Sequence, residues 1–130
     1  MRGTAAARAE SDVAVLIVDD KPTYRAAMRD VVEATPGFRL AGEADSGEAA
    51  IAAAQQLSVQ LVIVDKRMPG MNGFEACRAI TQRNPGVAVV VCTVEDPDPV
   101  TGRAHGAAAV IRKQDLSRDC LLAIARTHLG

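Results

Sequence analysis

The segment LVIVDKRMPGMNG, residues 61 to 73, carries four apolar residues into an aspartate, Asp65, and breaks at once into a turn built from Pro and Gly. Asp19 and Asp20 follow the apolar run VAVLIV, Thr93 follows VAVVVC, and Lys113 follows AAAVIR. Taken singly these placements are ordinary, since an aspartate at a strand end caps a helix, a threonine closes a turn and a lysine is solvated. Taken together, every polar residue with reaction potential stands at the carboxyl end of an apolar run. In an open parallel sheet that edge is where ligands bind.

The charges narrow the chemistry. Two carboxylates about 5 Å apart repel by roughly 3 kcal/mol at an effective dielectric near 20, so three acids in one pocket call for a cation. Mg²⁺ is the natural choice, being held by one or two carboxylates and waters with positions left for phosphate oxygens. It would let an anionic phosphodonor approach an otherwise repulsive site. Asp65 would then attack in line as a nucleophile, Lys113 would pair with one phosphoryl oxygen and Thr93 would hydrogen-bond another.

Such a cluster needs a scaffold of alternating strands and helices. From Val13 onward, β-branched runs at 13–18, 38–44, 61–65, 87–92 and 107–112 alternate with helical patterns, the mark of repeated βα units and a parallel sheet. The nearly continuous apolar runs predict strands covered by helices on both faces. Tyr24, Ala27, Met28 and Val31 repeat at helical spacing after Pro22, and Ala50, Ala53, Ala54 and Leu57 do so after Ser46, an N-cap residue type. Phe74, Cys77 and Ile80 mark a third helix, and Leu121, Ile124 and Ala125 a last one that runs to His128. The fourth helix is weakly specified: EDPDPVTGRAHG holds two prolines and Gly102, with Asp98 as cap and Pro99 as first residue.

A chain of 130 residues with 48% apolar content suits one domain over 13–130, preceded by a disordered tail at 1–12, with no output domain in the chain. Fifteen Lys plus Arg against 16 Asp plus Glu leave no basic field for direct nucleic-acid binding. Cys77, Cys92 and Cys120 are odd in number and dispersed, as expected for small core residues in the reducing cytoplasm. No apolar run reaches the roughly 18 residues of a membrane span, and the first 12 residues lack the apolar section of a secretory signal. His105 and His128 have no partner at metal-ligand spacing and are expected on helix surfaces.

In this order, VLIVDDKPTYR, LVIVDKRMPGMNG, VVVCT and GAAAVIRK resemble the receiver domains of two-component response regulators, over about residues 13 to 129. VDDKPTYR and LAGEADSGEAA look most like the receivers that precede a LuxR-type helix-turn-helix output domain. The resemblance implies a flavodoxin-like (βα)5 doubly wound sheet of strand order 2-1-3-4-5 in a three-layer sandwich. It implies Asp65 as phosphoacceptor, with Asp20 and Asp65 binding Mg²⁺ (or Mn²⁺) directly, Asp19 helping through water, and the backbone carbonyl of Arg67 as a further ligand. Thr93 and Lys113 take the switch roles. Implied partners are a histidine kinase or an acyl phosphate as phosphodonor, a second copy in a homodimer, and a downstream protein or a separate DNA-binding output domain.

Departures from the family pattern, Val94 excepted, lie on the output side. Val94 stands where the family has Ala or Gly, narrowing the path to the aspartate, and Val110 replaces an aromatic rotor. These differences point to a signal carried by the fourth helix. Arg67 and Glu95, each two residues beyond a reactive position, are expected to flank the mouth as an ion pair that gates water. Two alternatives stand beside the phosphorylated switch. One is a receiver-like module that binds its partner regardless of phosphorylation. The other is an aspartyl-phosphate phosphatase, which would need a second Asp where Arg67 lies; neither GxxxxGK[ST] nor GxGxxG occurs to cradle a nucleotide.

Overall fold

The computed structural model describes residues 12–129; most of the tail expected at 1–12 lies outside the described residues. Five strands, β1 (Val13–Val18), β2 (Phe38–Ala44), β3 (Leu61–Asp65), β4 (Ala88–Thr93) and β5 (Ala109–Arg112), alternate with five helices. The helices are α1 (Pro22–Glu33), α2 (Gly47–Gln56), α3 (Gly73–Arg83), α4 (Pro99–Ala104) and α5 (Arg118–His128), and a 3-10 turn at Lys113–Asp115 leads into the last. All pairings are parallel, in the order β2-β1-β3-β4-β5. The chain leaves β1 toward β2 on one side and returns to β3 on the other, so strand order reverses between β1 and β3.

The continuous apolar runs have their expected cause. Successive side chains of a strand point to opposite faces, so Leu16, Val18, Val62, Val64, Val89 and Val91 pack with Ala50 and Ala54 of α2 and Phe74, Cys77 and Ile80 of α3. On the other face Val15, Ile17, Leu61, Ile63, Val90 and Cys92 meet Met28 and Val32 of α1 and Leu121 and Ile124 of α5. Every residue of β3 is buried. Three layers thus hold the carboxyl ends of β1 and β3 rigidly side by side.

Helix starts follow local chemistry. Pro22 opens α1 at its first turn, and the Ser46 side chain accepts the Ala49 N–H at 3.1 Å. Asn72 and Glu75 form a reciprocal capping box at α3, a signal absent from the sequence reading: the Asn72 side chain accepts the Glu75 N–H, and the Glu75 carboxylate accepts the Asn72 N–H, both at 2.9 Å. Asp98 caps α4, accepting the Thr101 N–H at 3.0 Å, and Pro99 is its first residue, as expected.

The bounds of two strands differ from expectation. Val87 is still in the turn after α3, its N–H bonded to Asn84 O at 3.0 Å, so β4 begins one residue later and takes in Thr93 as its last residue. Ala107 donates to Gly102 O at 2.9 Å, closing the end of α4, and β5 begins only at Ala109. Val110 of β5 tucks under α4: a Cβ built on Gly102 would lie 2.3 Å from Val110 Cγ2, so glycine is what lets this helix sit on the strand. The expected surface placement of His105 is corrected likewise. It is half-buried and stacks on Phe74 with centroids 5.5 Å apart, whereas His128 is exposed.

Candidate functional site

Asp19 follows β1 and is fully buried, Asp20 is half-buried beside it, and Asp65 ends β3 at 4% exposure. One carboxylate oxygen from each lies within 4.8 Å of the others. The reversal of strand order between β1 and β3 places the three acids at the carboxyl edge where a doubly wound sheet binds ligands. Closeness of the backbone sustains this. The loop after Asp65 returns so tightly, with Gly73 N–H bonded to Lys66 O at 2.8 Å, that a Cβ on Gly73 would meet the Asp65 carbonyl oxygen at 2.3 Å.

Lys113 enters the cluster from the far end of β5. Its Nζ donates to Asp19 Oδ2 at 2.8 Å and lies 3.1 Å from Asp65 Oδ1. Burial alone would depress the ammonium pKa, but the bonds and charges of Asp19 and Asp65 hold it above its ordinary value. Burial pushes the Asp65 carboxyl above the usual carboxylate range; the Asp19 charge adds to this, and Lys113 offsets only part of it. The other Asp19 oxygen accepts the Lys21 N–H at 2.9 Å.

One acceptor remains without its complement. Asp20 Oδ1 is buried with no hydrogen-bond partner; Lys21 Nζ is 3.5 Å away, an ion-pair distance without hydrogen-bond geometry. A buried carboxylate oxygen left unpaired is costly, and with two other carboxylates in reach the donor set is that of a hard, oxygen-seeking divalent cation. Asp19, Asp20 and Asp65 therefore fit Mg²⁺.

Thr93 is buried at the end of β4, its hydroxyl oxygen accepting the Glu95 N–H at 3.0 Å. It shares a cavity of about 140 Å³ with Lys21, Tyr24, Asp65, Lys66, Arg67, Val94 and Lys113. Val94 projects at this mouth, 65% exposed. Arg67 and Glu95 do pair, through Nε–Oε1 at 3.0 Å and Nη2–Oε2 at 2.8 Å, and Lys66 Nζ joins Oε1 at 3.2 Å. These bonds, Arg67 first and Lys66 second, hold the Glu95 carboxyl down at about 2. Val110, expected on the output side, lies under α4, outside the cavities beside the acids.

Two neighbours escaped the sequence reading. Lys66 joins Glu95 through its ammonium, and Tyr24, expected to pack within a helix, lays its ring against the Lys113 ammonium. The available signal for Tyr24 was its position four residues after Asp20, in the first turn that Pro22 opens. The cysteines are free; Cys77 and Cys92 are buried, and burial pushes both thiols up to about 12. No helix among the described residues is long and apolar enough to cross a membrane.

Comparison with known proteins agrees with this fold. Residues 15–125 match the family model described as the response regulator receiver domain. Response regulator GacA of Pseudomonas aeruginosa is 33% identical over 120 residues, covering 91% of this chain and 56% of that one. Response regulator UvrY of Escherichia coli is 34% identical over 118 residues, covering 89% and 54%. The chain thus spans about half the length of the curated relatives it matches. Among solved structures, the signal receiver domain of the NarL response regulator of Mycobacterium tuberculosis superposes with a TM-score of 0.79 at 24% identity, covering 89% of this chain and 98% of that one. A LuxR-family two-component response regulator from Aurantimonas superposes with a TM-score of 0.83 at 24% identity, covering 92% and 87%. These two likenesses bear on the fold.

Proposed function

The chain belongs to the response regulator receiver domain family of two-component systems, whose general mechanism is switching by phosphorylation, and on that premise we propose that Asp65 is the phosphoacceptor of a Mg²⁺-dependent switch. The observation that carries this is the convergence of Asp19, Asp20 and Asp65 within 4.8 Å, with Lys113 on two of them and an unpaired Asp20 oxygen beside them. When bound, Mg²⁺ supplies charge neutralisation for the acids and for an incoming phosphoryl group. Asp19, Asp20 and Asp65 would hold it, with the Arg67 carbonyl as a further ligand.

This chain's own residues do the rest. A carboxylate oxygen of Asp65 forms the new O–P bond while the donor's bond to phosphorus breaks, and the leaving imidazole of a kinase phosphohistidine, or acetate from acetyl phosphate, takes the electron pair. Lys113 offers N–H groups to the charge on the transferred oxygens, and the Thr93 hydroxyl donates to another oxygen. The work is positioning and charge neutralisation, so the domain acts as a self-modifying switch and not as a turnover enzyme. Arg67 and Glu95 flank the mouth and, with Val94, limit water access. Output passes through α4 and the residues beneath it to a downstream protein, a second copy or a separate DNA-binding domain, all in the cytoplasm.

A second reading, partner binding regardless of phosphorylation, is favoured by one observation: Val110 is small and locked beneath Gly102, where the family's aromatic coupling would act. Intact-mass measurement after incubation with Mg²⁺ and acetyl phosphate separates the two. Gain of one phosphoryl group by the parent and none by Asp65→Asn supports the switch; no gain by either supports the second reading.

A further inference from the structure

The part of the site that the family's chemistry does not account for is the third wall around Lys113. Its ammonium lies 3.4 Å from the centroid of the Tyr24 ring, while Asp19 Oδ2 and Asp65 Oδ1 hold it from elsewhere at 2.8 and 3.1 Å. Tyr24 sits in the first turn of α1, 38% exposed, while Met28 one turn later is buried in the core. Its ring lines both the 140 Å³ cavity that contains Asp65 and a second cavity of about 340 Å³ between α1 and the end of β5. An aromatic residue serving only as core filler would be buried like Met28.

We infer that Tyr24 is a positioning residue for phosphoryl transfer, its ring face keeping the Lys113 ammonium over the reacting carboxylate. This rests on the reading of Asp65 as phosphoacceptor. The physical need arises during the reaction. Lysine carries three N–H donors on a flexible four-carbon stem, and here two acceptors fix it. As the Asp65 oxygen bonds to phosphorus and the donor's leaving group departs with its electron pair, the aspartyl carboxylate charge is lost and with it one of those two anchors. Of the two carboxylates, only Asp19 would still hold the ammonium, from the side of β1, while the phosphoryl oxygens draw it the other way. The ring quadrupole attracts the cation without offering an acceptor that the reaction consumes. Tyr24 therefore gives Lys113 an anchor that is the same before and after transfer, leaving the released N–H free for a phosphoryl oxygen.

The distinction between a ring face and mere bulk gives the test. Tyr24→Leu keeps apolar volume and removes the face; Tyr24→Phe keeps the face and removes the hydroxyl. With Mg²⁺ and acetyl phosphate, followed by intact mass, Tyr24→Leu should be phosphorylated about 3- to 10-fold more slowly, the factor a partly exposed cation–π contact supports, and Tyr24→Phe should restore the parent rate. In the absence of any donor, the ε-methylene protons of Lys113 should resonate upfield in the parent and in Tyr24→Phe from the ring current, and at ordinary positions in Tyr24→Leu. A parent that is phosphorylated no faster than Tyr24→Leu overturns this inference alone, as does an unshifted Lys113 resonance in the parent. A parent that takes up no phosphoryl group overturns the reading of Asp65, and this inference with it.

Discussion

The carboxyl ends of β1 and β3, at the centre of the sheet, and the segment running through α4 to β5, at its side, are built to opposite specifications. At the first, every residue of β3 is buried, and the acids are held among fully buried Val18, Val64 and Cys92. At the second, α4 is six residues long with Gly102 as its buried residue, and all four residues of β5 are only half-buried. Charges that repel one another need a stiff frame. A surface that must change when they are neutralised needs a soft one, drawn from the low-stability end of the fold. The proposed chemistry and the proposed output would then be separated by stiffness as well as by distance, with Thr93 and Lys113 at the boundary.

Hydrogen exchange would break that comparison most visibly. Amides of α4 should exchange orders of magnitude faster than those of β3, because local opening spans the range from near zero to the global stability, and a beryllofluoride phosphoryl mimic should change α4 and leave β3 unaltered. Slow exchange in α4, unchanged by the mimic, would mean that the signal leaves by another route. Next in size is the cation. Saturating Mg²⁺ at a hundred times its Kd should stabilise the protein by about 2.7 kcal/mol in thermal denaturation, and Asp20→Ala should remove most of that gain.

The soft region can be sharpened by a double-mutant cycle. Gly102→Ala should cost about 1–3 kcal/mol by driving a methyl into Val110. With Val110→Ala present, the same change should become neutral or stabilising, since alanine is the better helix former. A cost unaffected by residue 110 would show that the contact is not what seats α4.

In the stiff region a smaller effect of opposite sign is expected. Because the Asp65 carboxyl is held above its ordinary range by burial first and by the Asp19 charge next, its ionisation works against folding. The stability associated with its protonated form is present in acid and is lost as pH rises through the raised folded value. Asp65→Asn should therefore stabilise the metal-free protein at neutral pH by about 1 kcal/mol, one carboxylate repulsion less one lysine hydrogen bond, with the gain fading toward acid. The smallest effect belongs to Arg67 and Glu95. Replacing both with Ala should speed loss of the phosphoryl group by about twofold, as befits an exposed pair, and an unaltered lifetime would remove them from the gate.

Much of this was legible in the chain. Apolar runs that end in Asp19, Asp65, Thr93 and Lys113 announce parallel strands and the edge they share, because strand periodicity is a local property of sequence. Pro22, Ser46, Asp98 and Pro99 announce helix starts for the same reason. What stayed hidden depends on how separate elements seat against each other. The ring of Tyr24 over Lys113, the stacking of His105 on Phe74 and the fit of Gly102 to Val110 are contacts between distant segments, decided by rotamers and helix placement. The late start of β5 belongs with them, since Ala107 completes the turn after α4 by bonding to Gly102.

The central claim is that a divalent cation neutralises the acids around Asp65 and so allows it to accept a phosphoryl group. Crystals grown with Mn²⁺ and beryllofluoride would test it most directly, through the anomalous difference map. One strong peak is expected in contact with carboxylate oxygens of Asp20 and Asp65, with the beryllofluoride group on Asp65 and Lys113 turned toward it. Carboxylates of residues 19, 20 and 65 pointing apart, with no peak among them, would contradict it.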